Sequence, residues 1–189
     1  DTMGIFWTMK YENVKEEDLL RGWGLKAQAL EKIDIFVPGD KFNDYKTQGV
    51  PIDKKFYIKP SELDAGDWSL TFDIELTEPI GVLIEKVIFE LEEKDYGVDE
   101  IISEIKKQKN FDKDVVNAAI NRFIAVKSWG IFDVKGTKIK EIVDNGRISV
   151  LDVSVYSHIS GNWGIKNLVV GILCKKLLEE RMEARRIEE

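Results

Sequence analysis

Cysteine and histidine each occur once in the 189 residues, as Cys174 and His158. A single thiol cannot close an intrachain disulfide, and a zinc site of the His/Cys kind has no partner set. No Ser-base-acid constellation can be read around His158. Long apolar runs are missing too. The longest, Leu168 to Cys174, stops at Lys175 and Lys176, well short of the roughly 20 residues that cross a bilayer. No charged leader with an apolar signal core is present, so a cytoplasmic protein without membrane contact is expected. An opening on Asp1 rather than Met leads to the expectation of a fragment. There is no internal repeat and no low-complexity tract.

The absence with most chemical weight is the phosphate loop. Gripping a nucleotide triphosphate takes glycines that free backbone N–H groups, a Lys for the β and γ phosphates, and a Ser or Thr for magnesium. No Gly-x-x-x-x-Gly-Lys-Ser/Thr occurs, and Gly24-Leu-Lys26 and Gly136-Thr-Lys138 lack the second glycine and the hydroxyl. Gly-x-Gly-x-x-Gly is missing as well. The chain alone is therefore expected to need no cofactor and to hydrolyse no ATP.

What is present suits a soluble globular chain: 43% hydrophobic and 33% charged residues, a balance that argues against disorder. The net charge of −7 is uneven. Residues 1–100 hold 12 Lys+Arg against 23 Asp+Glu, residues 101–140 hold 9 against 4, and residues 141–189 hold 7 against 8. Only the middle block offers a face for a polyanion. Its candidate nucleic-acid contacts are Lys106, Lys107, Lys109, Lys113, Arg122 and Lys127; the competing reading is a solvated helical face. Six phosphate contacts would give a log–log salt slope of roughly −4 to −5.

Pattern along the chain predicts alternating elements. Residues 3–7 read as a buried strand end, and residues 16–30 as helical, through Leu19, Leu20, Trp23, Ala27 and Leu30. Strands are expected at 33–37, 56–58 and 148–153, in a parallel or mixed sheet, with a loop over 39–53. Ser61 to Trp68 suits a helix start, and Pro79 opens the clearest helix, apolar at Ile80, Leu83, Ile84, Val87, Ile88 and Leu91. Helices follow near 98–105 and from about 112. A small hairpin or arm over 129–143 would complete a winged-helix-like order. Residues 157–164 read as a loop, and a long helix runs on from Ile165. Residues 1–76 and 146–189 are expected to form an α/β core, and 77–145 a mostly helical insertion lobe.

Ile148-Ser-Val-Leu-Asp152 has the shape of an apolar strand delivering an Asp to the sheet's C-terminal edge, where ligands of open α/β sheets gather. Val153 follows where a Walker B strand usually supplies Glu, and the alternative is that Asp152 simply caps the loop. Three Trp-Gly pairs, at 23–24, 129–130 and 163–164, read as stacking platforms or, more plainly, as core aromatics beside turns.

Several stretches together resemble the archaeal ATP-binding proteins related to HerA, in the HerA/FtsK branch of P-loop NTPases. They are Asp1-Thr-Met-Gly-Ile-Phe-Trp7, Ile58-Lys-Pro-Ser-Glu-Leu63 with Asp67-Trp68, Trp129-Gly-Ile-Phe132 with Gly136-Thr137, Ile148 to Ser154, Gly161-Asn-Trp-Gly164, Leu168-Val-Val-Gly171, and Glu180 to Arg186. The resemblance covers nearly the whole chain in order. It implies a partial RecA-like P-loop NTPase sheet, with the phosphate loop before Asp1 and the Walker B Asp-Glu strand after Glu189. It further implies, for the parent protein, ATP and magnesium as cofactors, a hexamer, DNA translocation or unwinding, and a nuclease partner. On this chain it marks only Asp1 and Asp152, as strand-end carboxylates on the nucleotide side. The competing functions are a non-enzymatic DNA-binding or oligomerisation module and a structural insertion that mediates subunit contacts. Terminal strands without their neighbours would leave sheet edges uncovered, so a self-associating chain is expected.

Overall fold

The computed structural model of the chain describes residues 1–92, 94–158 and 163–188. Three strands, β1 (Ile33–Pro38), β2 (Lys54–Phe56) and β3 (Ile148–Leu151), form a parallel sheet in the order β2-β1-β3. All six residues of the central strand β1 are buried, as a parallel strand covered on both faces requires. Side chains alternate across a strand, so Ile33, Ile35 and Val37 face one layer and Phe36 the other.

The first layer is thin. It consists of helix α2 (Phe42–Thr47), whose Tyr45 packs with Ile33, Ile35, Val37 and Val150, and of the partly buried Trp7 and Met9. The second layer holds α3 (Ala65–Phe72), α4 (Pro79–Leu91), α5 (Val98–Lys107), α6 (Lys113–Ser128) and the long α8 (Trp163–Glu188). Phe36, Phe56 and Ile58 from the sheet side join α3–α6 and α8 in one continuous apolar cluster. Trp68, fully buried, lies at the middle of it: its ring centroid is 5.0 Å from Phe123, 5.5 Å from Phe132 and 5.8 Å from Phe72. Thus α3 joins the helices over 79–128 to the rest. Asp64 starts α3 with a reciprocal capping box to Asp67, which satisfies two otherwise orphaned N–H groups. Lys175 of α8 reaches both carboxylates, at 3.0 and 3.3 Å, and Lys176 reaches Glu62.

The strands expected at 33–37 and 148–153 are present with shifted ends, the one expected at 56–58 lies at 54–56 and shares only Phe56 with it, and α3–α6 and α8 stand where their pattern puts them. Four expectations are corrected. Residues 3–7 are not a strand: they curl into a turn and a 3-10 helix, Phe6–Lys10, because the Asp1 carboxylate accepts the N–H groups of Met3, Gly4, Ile5 and Phe6. The helix expected over 16–30 shrinks to α1 (Glu17–Gly22), stopped where Gly24 takes φ +68. The loop expected over 39–53 contains α2. Finally, of the hairpin or arm expected over 129–143 the hairpin is not formed, and no wing follows. The segment runs beside 57–58 through Ile58 N–H to Ile131 O (2.7 Å), Asp133 N–H to Ile58 O (3.1 Å) and Thr137 N–H to Tyr57 O (2.8 Å), then enters α7 (Ile139–Ile142). Backbone groups that a hairpin would pair with each other are spent on the segment after β2. Of the loop expected over 157–164, residues 159–162 lie outside the described residues, while 157–158 end a 3-10 helix and 163–164 already belong to α8.

Asp34 is the one charged residue of β1, and it is nearly buried. It takes a fork from Arg147, Nε at 2.9 Å and Nη2 at 2.5 Å, plus Lys54 Nζ at 3.0 Å. The bond from Arg147, opposed by burial and aided by Lys54, holds its carboxyl below the usual range. A carboxylate with a depressed folded pKa stabilises above its unfolded value, about 3.9, and loses that contribution as pH falls through the folded one. The stability difference between the native chain and Asp34→Asn should therefore be constant from neutral pH to about pH 5. It should shrink below about pH 4 in urea titrations. Trp68→Ala should cost about 3–5 kcal/mol of unfolding free energy in the same assay, since the four-ring cluster cannot collapse onto the void.

Candidate functional site

From β1 the chain passes through α2 to β2 on one side. From β2 it returns across the other layer, through α3–α7, to β3 on the opposite side. Connections that leave in opposite directions make the β1/β3 boundary a switch point, and the C-terminal ends of those strands are where an open α/β sheet has room for a ligand. A cleft of about 460 Å³ lies there, lined by Thr2, Met3, Asp44, Tyr45, Gln48, Ser154, Val155 and Ser157.

Asp152 is the buried polar anchor beside this cleft, 1% exposed. Its Oδ1 accepts the Tyr45 hydroxyl at 3.1 Å and the Ser154 backbone N–H at 2.8 Å. The Tyr45 oxygen lies 3.4 Å from Ser154 Oγ and accepts the Val155 N–H at 3.3 Å. Burial, opposed by the Ser154 bond and reinforced by the charge on Asp152, pushes the Tyr45 phenol up to about 12. Tyr156, in the same turn, is also raised by burial, and its hydroxyl donates to Trp129 O at 2.6 Å.

Asp1 sits alongside. Its backbone nitrogen donates to Leu151 O at 2.6 Å, and Val153 N–H donates to Asp1 O at 2.9 Å. That is one rung of a parallel ladder opposite Asp152. Gly4 then crosses Asp152 at φ +68, where an added Cβ would stand 2.3 Å from Ser154 Oγ and 3.5 Å from Asp152 Oδ2. Only glycine combines that conformation with that approach. The structure thus brings together the two carboxylates singled out in the sequence. Tyr45 and Ser154 escaped sequence reasoning, although Phe42 and Tyr45, three apart, are a weak helical signal.

The residues present do not fit a magnesium nucleotide. The two oxygens of Asp1 take four backbone N–H groups, and Asp152 is closed off by Tyr45, Ser154 and Gly4. Neither residue is among those that line the cleft. Among the described residues no group of three or more His, Cys, Asp or Glu is placed to hold a metal ion. No step of phosphoryl transfer follows from this geometry.

The six basic candidates are exposed except Arg122, which is half-buried and donates to Ala118 O. Lys106, Lys107, Lys109 and Lys113 flank the α5–α6 connection, with Lys107 paired to Glu104 at 2.7 Å. Arg122 and Lys127 stand further along α6, roughly 14 and 21 Å from Lys113 at 1.5 Å per residue. Lys127 pairs with Asp99 at 2.6 Å. Of the Trp-Gly pairs, Trp129 is half-buried against the core while Trp23 is 78% exposed, and Gly24 and Gly130 both take positive φ as turn residues. The Trp163 and His158 side chains lie outside what is described.

Fold and site define the class: an α/β protein with a three-stranded parallel sheet and a polar cleft at its switch point. No family model, no curated protein and no solved structure matches the chain. Among the described residues no helix is long and apolar enough to cross a membrane.

Tyr45→Phe removes the hydroxyl that Asp152 accepts and should cost about 1.5–3 kcal/mol, since the bond ends on a charged group. In an ultraviolet pH titration, its difference from the native chain should show no tyrosinate step near pH 10; the step should fall near pH 12.

Proposed function

We propose that the chain is a core segment of an ATP-driven DNA-processing motor of the HerA type. It supplies sheet and helices, and the phosphate grip lies elsewhere in the parent protein. The observation that carries this reading is the pairing of Asp1 with Asp152 at the C-terminal edge of a parallel sheet. Side-by-side strand-end carboxylates at a switch point suit the nucleotide side of such a core. Their hydrogen bonds give them a positioning role: each fixes the turn that follows it. In this reading the parent is cytoplasmic and hexameric, takes ATP and magnesium, moves along DNA, and works with a nuclease.

The natural gene tests it directly. A Gly-x-x-x-x-Gly-Lys-Ser/Thr ahead of Asp1 and an apolar strand ending in Asp-Glu after Glu189 are expected. A reading frame with neither overturns the proposal. Calorimetry on this chain with MgATP should show no binding.

The four lysines at the α5–α6 connection favour a second reading, a DNA-contacting module that grips phosphates without reading sequence. Acidic neighbours weaken this face: Glu104, Asp112 and Asp114 lie within the same stretch. Four contacts would give a log–log salt slope of about −3 to −4 in fluorescence anisotropy. The triple change Lys106→Glu, Lys107→Glu, Lys109→Glu should abolish the signal. Unchanged binding would make the lysines a solvated face only.

A further inference from the structure

The largest mismatch between composition and burial lies at the start of the chain. None of residues 1–32 is buried, although large apolar side chains are frequent there. Met3 (70% exposed), Val14 (68%), Trp23, Leu19 and Leu25 stand more than half uncovered, and Phe6 nearly so. Together they put on the order of 700 Å² of apolar surface on one segment, close to the ~800 Å² that each partner contributes to a standard stable interface. Scattered single apolar residues need no explanation, but a concentration of this size does.

The segment is held in place at both ends. Trp7 and Met9 pack onto the thin layer over β1. Lys10 bonds Pro51 O at 2.9 Å and Asp53 at 2.5 Å, and Leu30 N–H donates to Met9 O at 2.9 Å. Between these anchors, residues 12–27 fold back on themselves, so that Val14 and Leu25 line one cleft of about 550 Å³ with Glu17 and Arg21. A preformed surface loses little conformational entropy when it is covered.

We infer that residues 3–30 form the surface on which a second copy of this chain docks. Charge selects the occupant. Residues 3–30 hold four Lys/Arg and four Asp/Glu, so the whole −7 of the protein lies outside them. Two copies approaching through their acidic faces repel each other, whereas this segment brings no net charge to the contact. A nucleic acid has no surplus cations to bind here. Arg21 sits 3.3 Å from Glu17 and 3.8 Å from Asp18, all well exposed, so both signs are available to pair across a self-contact. The inference does not rest on the motor reading and stands or falls separately from it.

Sedimentation velocity across a wide concentration range tests it on the native chain. A concentration-dependent oligomer is expected. Trp23→Glu and Leu25→Glu, both at exposed positions, should weaken association roughly tenfold or more while leaving the circular dichroism and melting midpoint unchanged. Phe89→Glu, at an exposed apolar position on α4, should leave association intact. Ile148→Glu, on the outer strand β3, should do so too. A native chain that stays monomeric overturns the inference, including one that binds a different protein through this segment. So does association that survives both segment variants but is lost with Ile148→Glu, which would mark edge-to-edge sheet pairing instead.

Discussion

Six consecutive residues of β1 are shut off from solvent, and a strand in that position has to be covered twice. Helix α2 covers one face with Tyr45, and the helices from α3 to α8 cover the other through Phe36 and its neighbours. Satisfying both faces sends the chain to opposite sides of β1 in its two crossings. The switch point between β1 and β3 is a consequence of that coverage. So is the meeting of Tyr45 with Asp152: one follows β1 and the other follows β3. The cost of a charged residue inside such a strand is offset at the opposite end, where Arg147 and Lys54 enclose Asp34. A buried carboxylate is tolerated when opposite charge and directed hydrogen bonds replace the lost water.

The second layer depends on Trp68. Its indole fills the junction among α3, α6 and the segment around Phe132, so sheet and helices share one core. The Lys175 bridge to both residues of the α3 capping box fastens α8 to the same helix from outside. Gly164 allows that fastening to be close, since a Cβ there would lie 2.7 Å from Thr71 O. Beyond this contact the far half of α8 lies exposed, and its alternating charges suit a solvated helix.

At the candidate site, donors converge on carboxylates rather than carboxylates on an open space. Four backbone N–H groups on Asp1 and two donors on Asp152 leave both as organisers of turns. The reading of Asp152 as a loop cap and its reading as a strand-end carboxylate at the ligand edge are therefore compatible: it does the first while standing at the second. Chemistry that needs a metal or a phosphate grip would have to be brought to this edge by other residues.

Much of the fold was legible because burial imposes a period on sequence. The stripe Ile80, Leu83, Ile84, Val87 could only be a helix face, and Ile33-Asp-Ile-Phe-Val37 only a short strand closed by Pro38-Gly39. Asp152 at a strand end was legible for the same reason. Where local pattern and tertiary contact disagreed, contact won. Residues 16–30 carry a helical period without a core to face, so only six of them coil into helix α1. Residues 3–7 are as apolar as a strand, yet the Asp1 carboxylate draws their N–H groups into a turn, and 129–143 is spent beside Ile58. No spacing rule pairs Tyr45 with Asp152 or Asp34 with Arg147, which are 107 and 113 residues apart. The sequence by itself determined which segments must be buried and with what period. Only the tertiary structure decided which distant polar groups meet, because a hydrogen bond depends on position in space and leaves no periodic trace along the chain.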